Sequence, residues 1–324
     1  MTVLRLPPPG APREELCDWL ELCAFFSEYG LARLDELSGG MKTMEAEPPD
    51  GIGDRDIDDD GMRSEIEAEI DARRSALNGA YPFQLTDDAE ELRLIVDRDR
   101  PEAAFYLLCL IAAHTARSSI LARPPENEIE RRMRRRAFQI MGTLSLAGCF
   151  NGTAVSVGWP RESKETILDV LRRAESWGIG LAPRDIPGKH SSPMDKDGGV
   201  DVIAWRPEIT PPPAVIAFGQ LASGHNWRDK PLKADLNAFL NSFFEDHGTE
   251  NHVCATIVPH IISDQLVLQS ESQRHGFIAH RMNAPRHALA AFAANQAGLS
   301  MDEADKVSQI GDWLRDYRTQ ALSA

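Results

Sequence analysis

Two short apolar runs near the middle of the chain each carry one polar side chain where an apolar one would pack better. The first is Val200-Asp201-Val202-Ile203-Ala204-Trp205, entered through Asp197-Gly198-Gly199. The second, after a proline-rich turn, is Val215-Ile216-Ala217-Phe218-Gly219-Gln220-Leu221, and it leads into Ala222-Ser223-Gly224-His225-Asn226-Trp227. Apolar β-forming runs bounded by Gly and Pro predict adjacent core strands. Asp201 and Gln220 are then candidates for a site that those strands present. The bland alternative is a turn at Asp197-Gly198-Gly199 leading into a buried strand, with Gln220 a satisfied core amide.

Periodicity organises the remainder. Leu16, Trp19, Leu20, Cys23 and Phe26 fall at helical spacing and predict an amphipathic helix within Pro12 to Leu37. Ser38 to Gly61 reads as a polar linker. Met62 to about Phe150 reads as mainly helical, with Glu65, Glu67, Glu69 and Asp71 as a solvated acidic start and a further helix over Ala89 to Val96. Pro101 opens an apolar helix running to Leu121, and His114 on it reads as a satisfied core histidine. Arg161 to Trp177 predicts another amphipathic helix, Gly178 to Leu181 a connector or first strand, and Pro183 to Lys196 a loop over the site. Lys233 to Phe244 reads as a crossing helix, His252 to Ile262 and Gly276 to His280 as strands, and the end of the chain as two helical stretches. The organisation expected is an N-terminal helix and acidic linker over 1–61, a helical domain over 62–144 and an α/β domain over 145–324.

Composition narrows the classes. The formal charge of −15 argues against nucleic-acid binding over the whole surface, although not against a local groove. Seven lysines accompany twenty-eight arginines, which makes Lys230 and Lys233, just beyond the second run, more noticeable. The one concentrated basic run is Arg131-Arg132-Met133-Arg134-Arg135-Arg136, open to two readings: a nucleic-acid path or a solvated helix face paired with acids such as Glu126, Glu128 and Glu130. No apolar run is long enough to span a bilayer and the first residues lack a signal-peptide core, so a cytoplasmic protein is expected. Five scattered cysteines without a C-x-x-C pair read as reduced thiols. The later histidines, among them His260, His275 and His280, show no metal-ligand spacing.

Asp56-x-Asp58-x-Asp60-Gly61 with Glu67 matches the spacing of an EF-hand calcium loop. The Pro- and Gly-rich entry predicts no incoming helix, however, and Arg63 stands where an apolar residue is usual. An acidic linker capping the next helix is the competing reading.

The D-G-G-x-D run followed by a strand ending in Gln resembles the PD-(D/E)xK nuclease superfamily, particularly its Mrr-like branch. The resemblance centres on Asp197 to Trp227 and extends over 145–285. It implies an α/β restriction-endonuclease-like core, a mixed sheet flanked by helices, here preceded by a mainly α-helical region. It also implies a Mg²⁺-dependent DNA endonuclease, with Mn²⁺ substituting, of bacterial restriction or anti-phage defence. By position, Asp201 corresponds to the metal-binding aspartate, Asp197 to its acidic neighbour and Gln220 to the first residue of Q-x-K. Ala222 stands where that motif has lysine, so Lys230, or else Lys233, would supply the displaced charge. Glu165, or Glu162 or Glu130, would be the helix glutamate beside the metal. Oxygen donors of this kind suit Mg²⁺ and a lysine suits a phosphoryl transition state. No recognition module is visible, so a partner subunit or a homo-oligomer would set the target. The alternative is a degenerate nuclease fold acting as a scaffold or accessory subunit in a multiprotein complex, which Ala222 and the acidic surface favour.

Overall fold

A computed structural model of the chain describes residues 3–44, 52–115, 120–159, 161, 165–189, 191–192, 198–208, 213, 215–245 and 252–323. The fold is mixed α/β, and the chain divides into two compact units: residues 1–130 with 311–324, and residues 131–310. Among the described residues no helix is long and apolar enough to cross a membrane.

The first unit contains α1 (Arg13–Phe26), β1 (Leu31–Arg33), α2 (Leu34–Met44), α3 (Ile52–Leu77), β2 (Phe83–Leu85), β3 (Glu91–Leu94), α4 (Pro101–His114) and most of α5 (Asn127–Arg132). Its three strands form an antiparallel sheet in the order β1-β3-β2. The expected linker over Ser38 to Gly61 is therefore largely helical, apart from 45–51, which lie outside the described residues. Ile66, Ile70, Arg73 and Leu77 recur at helical spacing along α3 and are all buried, so tertiary burial holds a charged sequence in a helix. Asp56 to Glu67 lies within that one helix, whereas the calcium motif requires a loop there. Ala89 to Val96 is not a helix either. Glu91-Leu92-Arg93-Leu94 alternates polar and apolar residues, the two-residue period of a strand.

Glu69 is buried rather than solvated, because it belongs to a polar cluster inside this unit. Arg73 at its centre is 0 % exposed. Its guanidinium donates to Asp18 Oδ1 at 2.7 Å and Glu69 Oε1 at 2.9 Å, and lies 3.0 Å from Glu21 Oε1. Tyr81 and Tyr106 hydroxyls donate to the two oxygens of Glu21, each at 2.7 Å. His114 Nε2 lies 2.7 Å from Asp18 Oδ2, the satisfied core histidine expected. Burial opposes the charge on Arg73, but Glu21, Tyr106 and Asp18 outweigh it and raise its pKa well above the usual value.

The second unit opens with a π-helical turn, Met133–Ala137, which continues into α6 (Phe138–Cys149). There follow β4 (Thr153–Ser156), α7 (Ile167–Ser176), β5 (Val202–Trp205), β6 (Ile216–Leu221), α8 (Leu236–Phe243), β7 (His252–Ile257), α9 (Gln265–His275), β8 (Phe277–Ala279) and α10 (Ala284–Gln296). α11 (Ser308–Ser323) then returns the chain to the first unit. The sheet has the order β4-β5-β6-β7-β8. Its first three strands are mutually antiparallel, while β6, β7 and β8 run parallel. The two runs that open the sequence reading are thus adjacent strands. The first strand of the sheet is Thr153–Ser156, not Gly178 to Leu181.

The sheet is covered on both faces. Ile203, Trp205, Ile216 and Phe218 share one apolar core with residues of α7 and α8. On the other face Leu146 of α6 presses on Gly219, where a Cβ would fall 2.7 Å from its methyl. α10 crosses α6 at Gly148, where a Cβ would fall 1.9 Å from the His287 carbonyl oxygen, so only glycine permits this approach.

Candidate functional site

Strand directions bring one end of each strand to a common edge. Asp201 enters β5 there, Gln220 leaves β6, and Thr256 and Ile278 stand in register on β7 and β8. The register that pairs Val202 with Gly219 sets Asp201 opposite Gln220, and alternation puts both side chains on the face of Ile203 and Phe218.

Asp201 is fixed from several sides. Its N–H donates to Gly219 O at 2.9 Å, and its carbonyl accepts the N–H groups of Val157 and Gly158, both at 2.8 Å. Gln139 of α6 donates from Nε2 to the same carbonyl at 3.1 Å and to Ser156 Oγ at 2.8 Å. The carboxylate itself accepts the Leu221 N–H on Oδ2 at 2.8 Å. Gln220 differs: its Oε1 is buried and has no hydrogen-bond partner among the described residues. Beyond it, Thr256 Oγ1 lies 3.4 Å from His275 Nδ1, and His275 Nε2 lies 3.6 Å from Glu271 Oε2. Burial lowers the pKa of His275, and Glu271 partly opposes that shift. The His275 ring sits 5.0 Å from that of Trp227.

The other sequence candidates lie as follows. Ala222 packs against a small apolar cluster of Trp227, Val258, Ile262 and Ile278, an environment that suits alanine and not a lysine ammonium. Trp227 is buried and anchors its loop. Lys230 is exposed at the end of the 3₁₀ turn His225–Asp229. Lys233 Nζ donates to Gln273 O at 2.8 Å. Glu165 is turned toward Arg173, with Oε1 2.7 Å from Nη1. Both line a cavity of about 290 Å³ with Arg161, Trp177 and Asp302. Asp197 and Glu162 lie outside the described residues.

Three groups at this edge escaped the sequence reading. Gln139 is an ordinary helix amide with no motif around it. Asp235 comes beside Gly199, its carboxylate Oδ2 3.3 Å from where a Cβ would stand. Arg134 belongs to the noted basic run, but its approach to the loop after β6, with Nη1 3.9 Å from the same point on Gly224, is a tertiary fact. Arg136, by contrast, is tied to Glu303 through two bonds of 3.0 and 2.7 Å.

Among the described residues no three His, Cys, Asp or Glu side chains are grouped so as to hold a metal ion. None of the five cysteines is in a disulfide, and burial pushes the Cys149 thiol up to about 12, away from nucleophilic use. No protein-family model, curated protein or solved structure significantly matches the chain.

Proposed function

We propose that the second unit is a restriction-endonuclease-like nuclease domain and that its Asp201–Gln220 edge hydrolyses phosphodiester bonds of DNA with Mg²⁺. The observation that carries this reading is the buried Oε1 of Gln220, without a hydrogen-bond partner among the described residues, beside a carboxylate that the neighbouring strands hold in place. An orphaned amide oxygen next to a carboxylate is a donor set for a hard cation, and Mg²⁺ commonly takes few protein oxygens while keeping water and substrate phosphate as its other ligands. Asp201 and Gln220 would hold the ion, and the ion would supply charge neutralisation on the scissile phosphate and a more acidic water. The alternation of helices and strands, with β4, β5 and β6 paired antiparallel and β7 parallel to β6 after the helix α8, further supports an α/β core, while α7 stands between β4 and β5.

The chain's own groups have separable tasks in this reading. Leu221 N–H fixes one carboxylate oxygen of Asp201, which limits the reorganisation of the group. Positive charge toward the phosphate comes from Lys230 or from Arg134, which stands over the loop that follows the strand. Glu165, engaged by Arg173, contributes to the wall of a separate cavity.

Cleavage of supercoiled and single-stranded DNA with Mg²⁺ or Mn²⁺ tests the reading. Wild type should cut, and Asp201→Asn should cut slower by about 10²-fold or more, the range expected on losing one transition-state charge contact. The second reading, a nuclease-fold scaffold without catalysis, is favoured by the apolar packing of Ala222 and by the engagement of Lys233 with Gln273. Folded wild type that cuts no substrate, alone or with a co-purifying partner, decides for the scaffold.

A further inference from the structure

The buried histidine near the Asp201–Gln220 edge has a carboxylate at one ring nitrogen and a hydroxyl at the other. Gly276, at φ +79°, follows α9, and a Cβ there would run into the Cys254 carbonyl oxygen, so the last turn of the helix lies directly on β7. That close approach sets His275, 0 % exposed, against Thr256, also 0 % exposed. Three separations make one chain: Thr256 Oγ1 to His275 Nδ1 at 3.4 Å, His275 Nε2 to Glu271 Oε2 at 3.6 Å, and Glu271 Oε1 to Arg228 Nε at 2.9 Å. Arg228 lies 4.7 Å over the Trp227 ring, which itself packs 5.0 Å from the imidazole.

The direction of each hydrogen follows from these partners. Burial lowers the His275 pKa, and Glu271 and the Arg228 backbone oppose only part of that shift, so the folded ring carries one N–H at neutral pH. An ionised carboxylate only accepts, which puts the N–H on Nε2, facing Glu271, and leaves Nδ1 as an acceptor. Thr256 then donates to Nδ1, and its single hydroxyl hydrogen is spent there. Gln220 is the register partner of Thr256 on the adjacent parallel strand, with both side chains on one face of the sheet. Its Oε1 is buried without a hydrogen-bond partner among the described residues. A threonine hydroxyl with no other acceptor would turn toward such an oxygen, because a buried acceptor without a donor costs free energy.

We propose that Glu271 and His275 are positioning residues for cation binding: they draw the Thr256 hydroxyl hydrogen to Nδ1 and keep it off Gln220 Oε1, whose lone pairs stay open to a metal ion. The metal end of this chain rests on the reading of Asp201 and Gln220 as Mg²⁺ ligands; the tautomer and the hydroxyl direction stand without it.

Two measurements on the full chain test it. Long-range ¹H–¹⁵N correlation of the histidine rings without metal should show the Nε2–H tautomer for His275, assigned through its loss in His275→Asn. Mn²⁺ binding, followed by the electron paramagnetic resonance signal of the free ion, should be saturable in wild type and lost in folded Asp201→Asn. Glu271→Gln keeps an oxygen for Arg228 and offers an amide N–H to Nε2, which turns the ring to the Nδ1–H tautomer and releases the threonine hydrogen. Mn²⁺ binding should then weaken by about 5-fold or more, the worth of one hydrogen bond. Adding Thr256→Val, which removes the hydroxyl at nearly constant shape, should restore it, whereas a packing defect caused by Glu271→Gln would persist. An Nδ1–H tautomer in wild type, unchanged binding in Glu271→Gln, or a loss that Thr256→Val leaves in place overturns the positioning role while the cation reading stands. No saturable Mn²⁺ binding, or binding unchanged in Asp201→Asn, overturns the cation reading and the role with it.

Discussion

The Arg73 cluster of the first unit and the sheet edge of the second treat buried polar groups in opposite ways. Around Arg73 each carboxylate oxygen is answered: Asp18 by Arg73 and His114, Glu21 by Arg73, Tyr81 and Tyr106, and Glu69 by Arg73 and Arg13. At the sheet edge of the second unit, Gln220 Oε1 and His280 Nδ1 are buried with no hydrogen-bond partner among the described residues. A saturated network of this kind specifies packing, and nothing further is asked of it. Buried groups left unanswered are rare in folded chains because each costs free energy, so such atoms at a sheet edge are the natural place to look for function.

The sharpest way to break the contrast is to remove the centre of the saturated cluster. Arg73→Met would strand three buried carboxylates, and urea unfolding should show a loss of about 3–5 kcal/mol confined to the first unit. A loss below 1 kcal/mol would mean the cluster is not the structural element described.

Acid should act on the other unit. The folded pKa of His280 is lowered to about 4 against an ordinary 6.5, so between these values the unfolded chain binds a proton that the folded chain refuses. The stability this group contributes is complete above about pH 6.5 and disappears as pH falls to 4, on the order of 3 kcal/mol in all. Urea unfolding read by hydrogen-exchange labelling of β7 and β8 peptides at pH 6.5, 5.5 and 4.5 should show the decline, and His280→Leu should flatten it.

A smaller effect has the unusual sign. Gln220→Leu removes an unanswered oxygen, so stability should stay level or rise by about 1 kcal/mol while metal-dependent cutting is lost. Destabilisation by more than that, measured by the same unfolding, would show that the amide is answered in solution. The control lies away from the edge. Thr166 and Asp169 form a capping box at the start of α7, with Thr166 Oγ1 accepting Asp169 N–H at 3.2 Å and Asp169 Oδ2 accepting Thr166 N–H at 2.9 Å. Thr166→Ala should cost about 0.5–1 kcal/mol of thermal stability and leave oligonucleotide binding and cutting unchanged.

How far this was legible in the sequence depended on the range of the signal. The pairing of β5 with β6, and the placement of Asp201 and Gln220 at their shared end, followed from two apolar runs with a turn between them. β4 was invisible because all four of its residues are buried, which leaves no alternation to read. α3 was obscured by its acidic composition, since its inward face includes Arg73 and Glu69, residues that count as surface in any composition argument. The loops after β6, β7 and β8 are far apart in sequence, so the approach of His225 to His260 arises only through strand register. Ala222 was legible as a departure from a motif, but its packing against Trp227 was not.

The return of the last residues to the first unit fixes an order of events on the ribosome. Residues 131–310 are synthesised before Gly311 to Ala324, so the sheet unit can fold as a complete body while the first unit still lacks part of itself. What that first unit waits for is substantial: Trp313, Leu314 and Tyr317 are buried in it, and Arg318 donates to the carbonyls of Phe25, Phe26 and Ser27 at the end of α1. The part made first is therefore finished last.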